Sequence, residues 1–154
     1  MYNSKKDTEK HSDNVMNVIF YFNNELYERG MFHDHSKLQC PEKEIFDKFT
    51  PRLKDATYGS DEYNEFLKEM KVALDHHYKN NSHHPEHYED GINGMNLFDF
   101  VEMFCDWCSA TLRHDDGNLI KSIEINQKRF NYSDDIKNIM LNTVEQFKKR
   151  NLCK

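Results

Sequence analysis

Nine histidines stand in a chain of 154 residues, and seven of them fall into two clusters, His33 with His35 and then His76, His77, His83, His84 and His87. A lone histidine is ordinarily a solvated or satisfied residue. Two clusters accompanied by carboxylates are better suited to hold iron, manganese, cobalt, nickel or zinc, since calcium and magnesium sites rely on oxygen ligands. The densest segment is His33-Asp34-His35-Ser36-Lys37. A neighbouring His and Asp can bind one metal or bridge two, provided that flanking helices hold the backbone rigid. Lys37, one helical turn beyond Asp34, would set a positive charge where an anionic phosphoryl group could be neutralised.

A second source of ligands is the apolar stretch Leu97 to Ala110, in which Asp99, Glu102 and Asp106 recur at i, i+3 and i+7 and so share one stripe of a helix. For Asp99 a solvated face and a ligand are equally open readings. A solvated face accounts less well for Asp106, which sits between Cys105 and Trp107 and, if buried, needs a partner or a metal. On a continuous helix His76 would share a face with His83, and His77 with His84, but Asn80-Asn81-Ser82 and Pro85 interrupt the run. Spacing therefore does not select among these four. Glu86 or Glu102 could relay a proton or hold a ligand from behind.

The elements that must position these groups are helical. Proline and glycine are scarce, at three and five, and apolar residues recur at helical rather than alternating spacing. Val15, Ile19, Phe22 and Leu26 line one face of a first helix running from about Thr8 and ending near Gly30. Pro41 opens a short helix with Ile45, Phe46 and Phe49, which Pro51 stops. A loop through Lys54 to Gly59 follows. Ser60 caps a helix expected to reach Tyr78, and residues 79–94 form a long ordered loop or a broken helix. Asn96 caps the next helix to about Arg113, Asp116-Gly117 marks a turn, another helix carries Leu119 to Phe130, and Ser133 caps the last.

The length fits one domain, residues 1–154, and the 13% aromatic share supplies core material despite 31% charged residues. A net charge of −6, with no basic stripe, argues against an extended nucleic-acid duplex as partner. No apolar stretch approaches the roughly 18 residues needed to cross a bilayer, and the N-terminus lacks a signal-like apolar centre, so a cytoplasmic location is expected. The four cysteines are too scattered for a disulfide framework. Cys105-x-x-Cys108, lacking a second pair, reads as core packing.

The order of His11, then His33-Asp34-His35-Ser36-Lys37, then His76-His77, then Asp106 resembles the HD superfamily of metal-dependent phosphohydrolases. The joined segments HDHSKL, DHHYKNNSHHPEH and VEMFCDW are similar to a family of uncharacterised small phage and bacterial proteins, over roughly Glu9 to Tyr132. The superfamily implies an all-α domain with a five-helix core, extended here by C-terminal helices, and a mono- or dinuclear metal site. His33 and Asp34 match its defining doublet, Lys37 the basic position after it, Asp106 the final Asp, His76 and His77 the later histidines, and His11 the first histidine. An unbroken helix would set His11 about 33 Å from His33 at 1.5 Å per residue. The superfamily resolves this with a two-helix hairpin, for which Asn23-Asn24 is the evident place to turn.

The expectation is thus a phosphohydrolase in which His33, Asp34 and Asp106, with His77, His76 and His11, hold one or two divalent transition metal ions. Metal-activated water would attack a small phosphorylated substrate, a nucleotide by analogy, with Lys37 binding the phosphate. Homo-oligomer formation is left open. The rival readings are an HD-type diiron oxygenase and a non-catalytic, metal-stapled binding protein, such as a phage factor acting on a host partner.

Overall fold

A computed structural model describes residues 4–55, 61–113 and 117–153, and among them every regular element is helical. The chain divides into two units, Met1–His33 and Asp34–Lys154. The first is a single helix, α1 (Ser4–Phe32), stabilised at its ends by Asp7 in the first turn and Arg29 in the last and by the i,i+4 pairs Lys5–Glu9 and Arg29–Glu25. It runs without interruption through Asn23, Asn24 and Gly30. The end expected near Gly30 falls two residues later, at Phe32, whereas the hairpin at the asparagines is overturned. Each of these residues costs a helix at most about 1 kcal/mol, too little to break one with good formers on both sides.

The second unit begins with a single 3-10 turn (His35–Leu38), followed by α2 (Glu42–Asp55). Pro51 lies inside α2 and does not stop it. Phe49, buried to 3% exposure, packs on Phe66, and Lys48 and Arg52 lie over its ring, which anchors the turn that the proline weakens. Lys54, expected in a loop, is still within α2, and residues 56–60, with the Ser60 cap, lie outside the described residues. The helix expected to reach Tyr78 is two: α3 (Asp61–Glu69) and α4 (Lys71–Asn80), separated at the buried Met70.

Two further 3-10 turns, Pro85–His87 and Gly91–Gly94, order the segment before α5 (Leu97–Leu112). Asn96 caps α5 in a reciprocal arrangement: Phe98 and Asp99 donate their amides to its side chain, and its own amide donates to Asp99. Asn118 and Ser133 cap α6 (Leu119–Phe130) and α7 (Asp134–Lys148) in turn. Leu119, Ile123 and Val144 are wholly buried with Met103, Met140 and Phe104 in the core shared by α5, α6 and α7, and Trp107 stacks on Phe130 and Tyr132 beside it. No described helix is long and apolar enough to cross a membrane.

Candidate metal centre

Asp34 adopts left-handed backbone geometry, φ 57° and ψ 17°, a region that Asp enters more readily than most residues. Its carbonyl accepts from the Lys37 amide at 2.9 Å, closing the 3-10 turn, while its Oδ2 accepts from Lys37 Nζ at 2.5 Å. The other oxygen, Oδ1, faces two imidazoles, lying 3.2 Å from His77 Nε2 and 3.6 Å from His83 Nε2. His77 Nε2 is in turn 2.9 Å from His84 Nε2. One ligand atom from each of Asp34, His77, His83 and His84 lies within 4.8 Å of the others. The separations of 2.9, 3.2 and 3.6 Å bracket the edge, about 3.4 Å, of a tetrahedron with metal–ligand bonds of about 2.0–2.1 Å.

What lies behind the histidines fixes which nitrogen they present. Glu42, wholly buried at the start of α2, accepts from His77 Nδ1 at 2.9 Å, from His76 Nδ1 at 2.7 Å and from the Ser36 hydroxyl at 2.9 Å. Glu102 on α5 sits 3.2 Å from His83 Nδ1. A carboxylate accepts, so each Nδ1 directs a hydrogen to its glutamate and the ring turns Nε2 to the cluster. This is the outer arrangement found behind metal-binding histidines. Burial, then the neighbouring charges of His83 and His77, push the His84 pKa down to about 3 against the opposing pull of Asp106 and Asp34. His84 is therefore neutral at physiological pH. Lone pairs and an anionic oxygen crowded at these separations require a proton or a cation among them.

The loop bearing His83 and His84 is pinned by Asp99. This carboxylate is wholly buried rather than on a solvated face, and it accepts from Ser82 Oγ at 2.5 Å and Tyr88 OH at 2.7 Å. Asn81 donates to Ser36 Oγ at 2.7 Å and to the His77 carbonyl at 2.8 Å, and so ties the end of α4 to the Asp34 turn.

Of the residues expected to hold metal, the structure brings together Asp34 and His77, and it places Asp106 within ligand reach of His83. His83 and His84, which compete with His76 and His77 in the sequence, are the ones that join them. His76 instead directs Nδ1 to Glu42 and is 38% exposed. His33 ends the first unit, one peptide bond before Asp34. His11 lies about six turns upstream of it, on the unbroken helix that ends at Phe32, so the two cannot share an ion within one chain. Among the expected catalytic groups, Lys37 and Glu102 border the cluster as described, whereas Glu86 is engaged by Arg129 at 2.6 Å. Cys105 is exposed and Cys108 buried, with its thiol toward the Leu152 carbonyl, so the two do not face a common ligand.

Sequence reasoning missed Glu42, Ser36 and Asn81. Glu42 opens a helix as Pro-Glu-Lys-Glu, which reads as an ordinary charged first turn, and nothing in one sequence marks it as buried.

A family model matches residues 1–149. The chain belongs to DUF5662, a family of unknown function. Comparison with curated proteins and with solved structures finds no match. DUF5662 therefore brings no activity to the chain, and the functional reading rests on the side-chain arrangement.

Proposed function

We propose that Asp34, His77, His83 and His84 hold a divalent transition metal ion, and that the chain is a metal-dependent hydrolase of a small phosphorylated substrate, a nucleotide by the resemblance to HD-type proteins. The observation that supports this best is the pairing of His77 with Glu42 and of His83 with Glu102, which leaves both Nε2 atoms facing Asp34 Oδ1. A bound metal ion of this kind supplies an activated water and polarises a phosphoryl oxygen. Lys37, 38% exposed and held by Asp34, presents an ammonium at the edge of the cluster for a phosphate oxygen. Asp106 offers a further carboxylate beside His83 for a second ion. The HD-type arrangement of the helices is part of this proposal.

The test is metal analysis of the purified protein, followed by a nucleotide and phosphoester panel with Asp34→Ala as control. A bound transition metal and a hydrolysis that both vanish in Asp34→Ala support the reading. Hydrolysis unchanged in that variant removes it.

One observation favours a second reading. The cluster draws on the Asp34 turn, α4 and the loop after it, and α5 stands behind it, so an ion there would also staple distant segments. A purely structural metal predicts that chelation unfolds the second unit and that no phosphoester is turned over.

A further inference from the structure

Two cysteines far apart in the sequence converge in the core of the second unit. Cys108 on α5 and Cys153, just beyond α7, are both buried, and both belong to the core around Met103, Phe104 and Val144. A reversal of the chain brings them together. Asn151 takes left-handed geometry, φ 55°, while the Leu152 amide donates to the Phe147 carbonyl at 3.1 Å and the Asn151 amide to the Lys148 carbonyl at 3.1 Å. This pair of bonds is the Schellman turn, in which a left-handed residue just past a helix folds the chain back over its last turn. Phe147 packs on Phe104 of α5, with ring centres 5.6 Å apart, so the reversed segment is laid against that helix. The Cys108 thiol then donates to the Leu152 carbonyl at 3.0 Å and lies in hydrogen-bonding reach of the Cys153 thiol. Cys105, one turn earlier on α5, is exposed and lies in the field of the Glu102 and Asp106 carboxylates. The partner that faces Cys108 is therefore Cys153.

We infer that Cys108 and Cys153 form a redox pair, which a small-molecule disulfide of the glutathione type oxidises reversibly to a bond that fastens the segment after α7 to α5. One protein thiolate attacks the small disulfide and expels one reduced thiol, and the second protein thiolate then attacks the mixed disulfide and expels the other. The pair loses two electrons and two protons, and the two small thiols carry them away. Both sulfurs are buried, so exchange begins when the short segment after α7 lifts from the core, a local opening that costs far less than unfolding the unit. The bond encloses α6 and α7 and joins their far end to the helix that bears Asp99, Glu102 and Asp106. Oxidation thus stabilises the helices behind the candidate centre without touching the four-residue cluster. One reversible bond of this kind is distinct from the framework of structural disulfides that the scattered cysteines argue against.

The full chain, and a form with the exposed Cys40 and Cys105 replaced by serine, are equilibrated with oxidised glutathione under non-denaturing conditions and read by intact mass and by peptide mapping without reduction. The expected product has lost two hydrogens, about 2 Da, carries no glutathione, joins the peptides of Cys108 and Cys153, and returns to its starting mass with dithiothreitol. Closing a loop of about 45 residues should raise the melting midpoint by about 5–15 °C. Cys153→Ser should keep its helical signal and lose both the bond and the rise. Should that variant fold poorly, the mapping on chains that keep both cysteines still decides the pairing. Thiols that stay reduced, or that stop as glutathione adducts, overturn the inference. So does a bond between Cys105 and Cys108 or between two chains in place of the expected one, or an expected bond that leaves the melting midpoint where it was.

Discussion

Glu42→Gln is a demanding test of the candidate centre, because it changes one buried charge while keeping shape. The carboxylate accepts from both His76 and His77 at Nδ1, and from Ser36. A glutamine has one accepting oxygen and one donating NH₂. If the oxygen stays with His76, the amide hydrogens confront His77 Nδ1, and the ring relieves the clash by moving its proton to Nε2. That is the nitrogen aimed at Asp34 and His84, and a protonated Nε2 binds no metal. Even with His77 kept in its native tautomer, the imidazole loses the anion that makes it a better donor. Substitutions behind metal-bound histidines cost about 10–100-fold in affinity, or about 1.4–2.7 kcal/mol. The assay is competition for Co²⁺ or Zn²⁺ against a chromophoric chelator, with helical content monitored alongside. Glu44→Gln, an exposed change in the same first turn, is the control and should leave affinity alone. A folded Glu42→Gln protein that binds metal as tightly as the wild type refutes the argument that Glu42 sets the His77 tautomer.

The remaining expectations concern the choice of ligands, the loop that carries them, and acid. His83→Ala and His84→Ala should each weaken metal binding by 100-fold or more, while His76→Ala, which removes a neighbour of Glu42 and not a member of the cluster, should stay within about 10-fold in the same competition assay. Asp99→Asn confronts one of two donating hydroxyls, Ser82 or Tyr88, with an amide NH₂ in a wholly buried place, and should cost about 1–3 kcal/mol, read as a fall of roughly 2–10 °C in the melting midpoint. In metal-free protein, His84 stays neutral down to about pH 3 while the unfolded chain takes up its proton near pH 6.5. Stability is therefore lost as pH falls through that window, on the order of 2 kcal/mol by pH 5, and urea titrations of His84→Gln should lack that slope.

The contrast between what could and could not be read from the residues follows their range of interaction. Asn96 and Ser133 announce α5 and α7 because a cap acts within three residues of itself, and each side chain does accept the expected amide. The continuity of α1 is a balance of small local costs, and two asparagines are too weak a break to turn it. Pro51 misleads for a similar reason: the lost rung is local, whereas the Phe49 anchor that holds the turn depends on Phe66 from another helix. The clustering of histidines and the His33-Asp34 doublet mark segments that the structure brings together around Asp34. The selection of His83 and His84 beside His77 depends on how the chain bends after Asn81, and no periodicity encodes that bend. Glu42 is reached only across 34 and 35 residues of sequence from the two histidines it holds.

The charge arrangement ties these points together. Glu42 is wholly buried and the Glu102 side chain is only 12% exposed, and both stand directly behind imidazoles whose far nitrogens meet a third carboxylate, Asp34. Lys37 balances one of these anions, and it does so from the outer oxygen of Asp34, away from the histidines. Three carboxylates so close together in a poorly solvated pocket are costly unless positive charge enters between them. With His84 held neutral, that charge must come from protons on the other rings or from a cation accepted at the four-residue cluster. A divalent cation suits the task better, because it satisfies several lone pairs at once, whereas each proton satisfies only one contact. On the proposed reading, the same glutamates that orient the histidines also supply negative charge that an ion would balance.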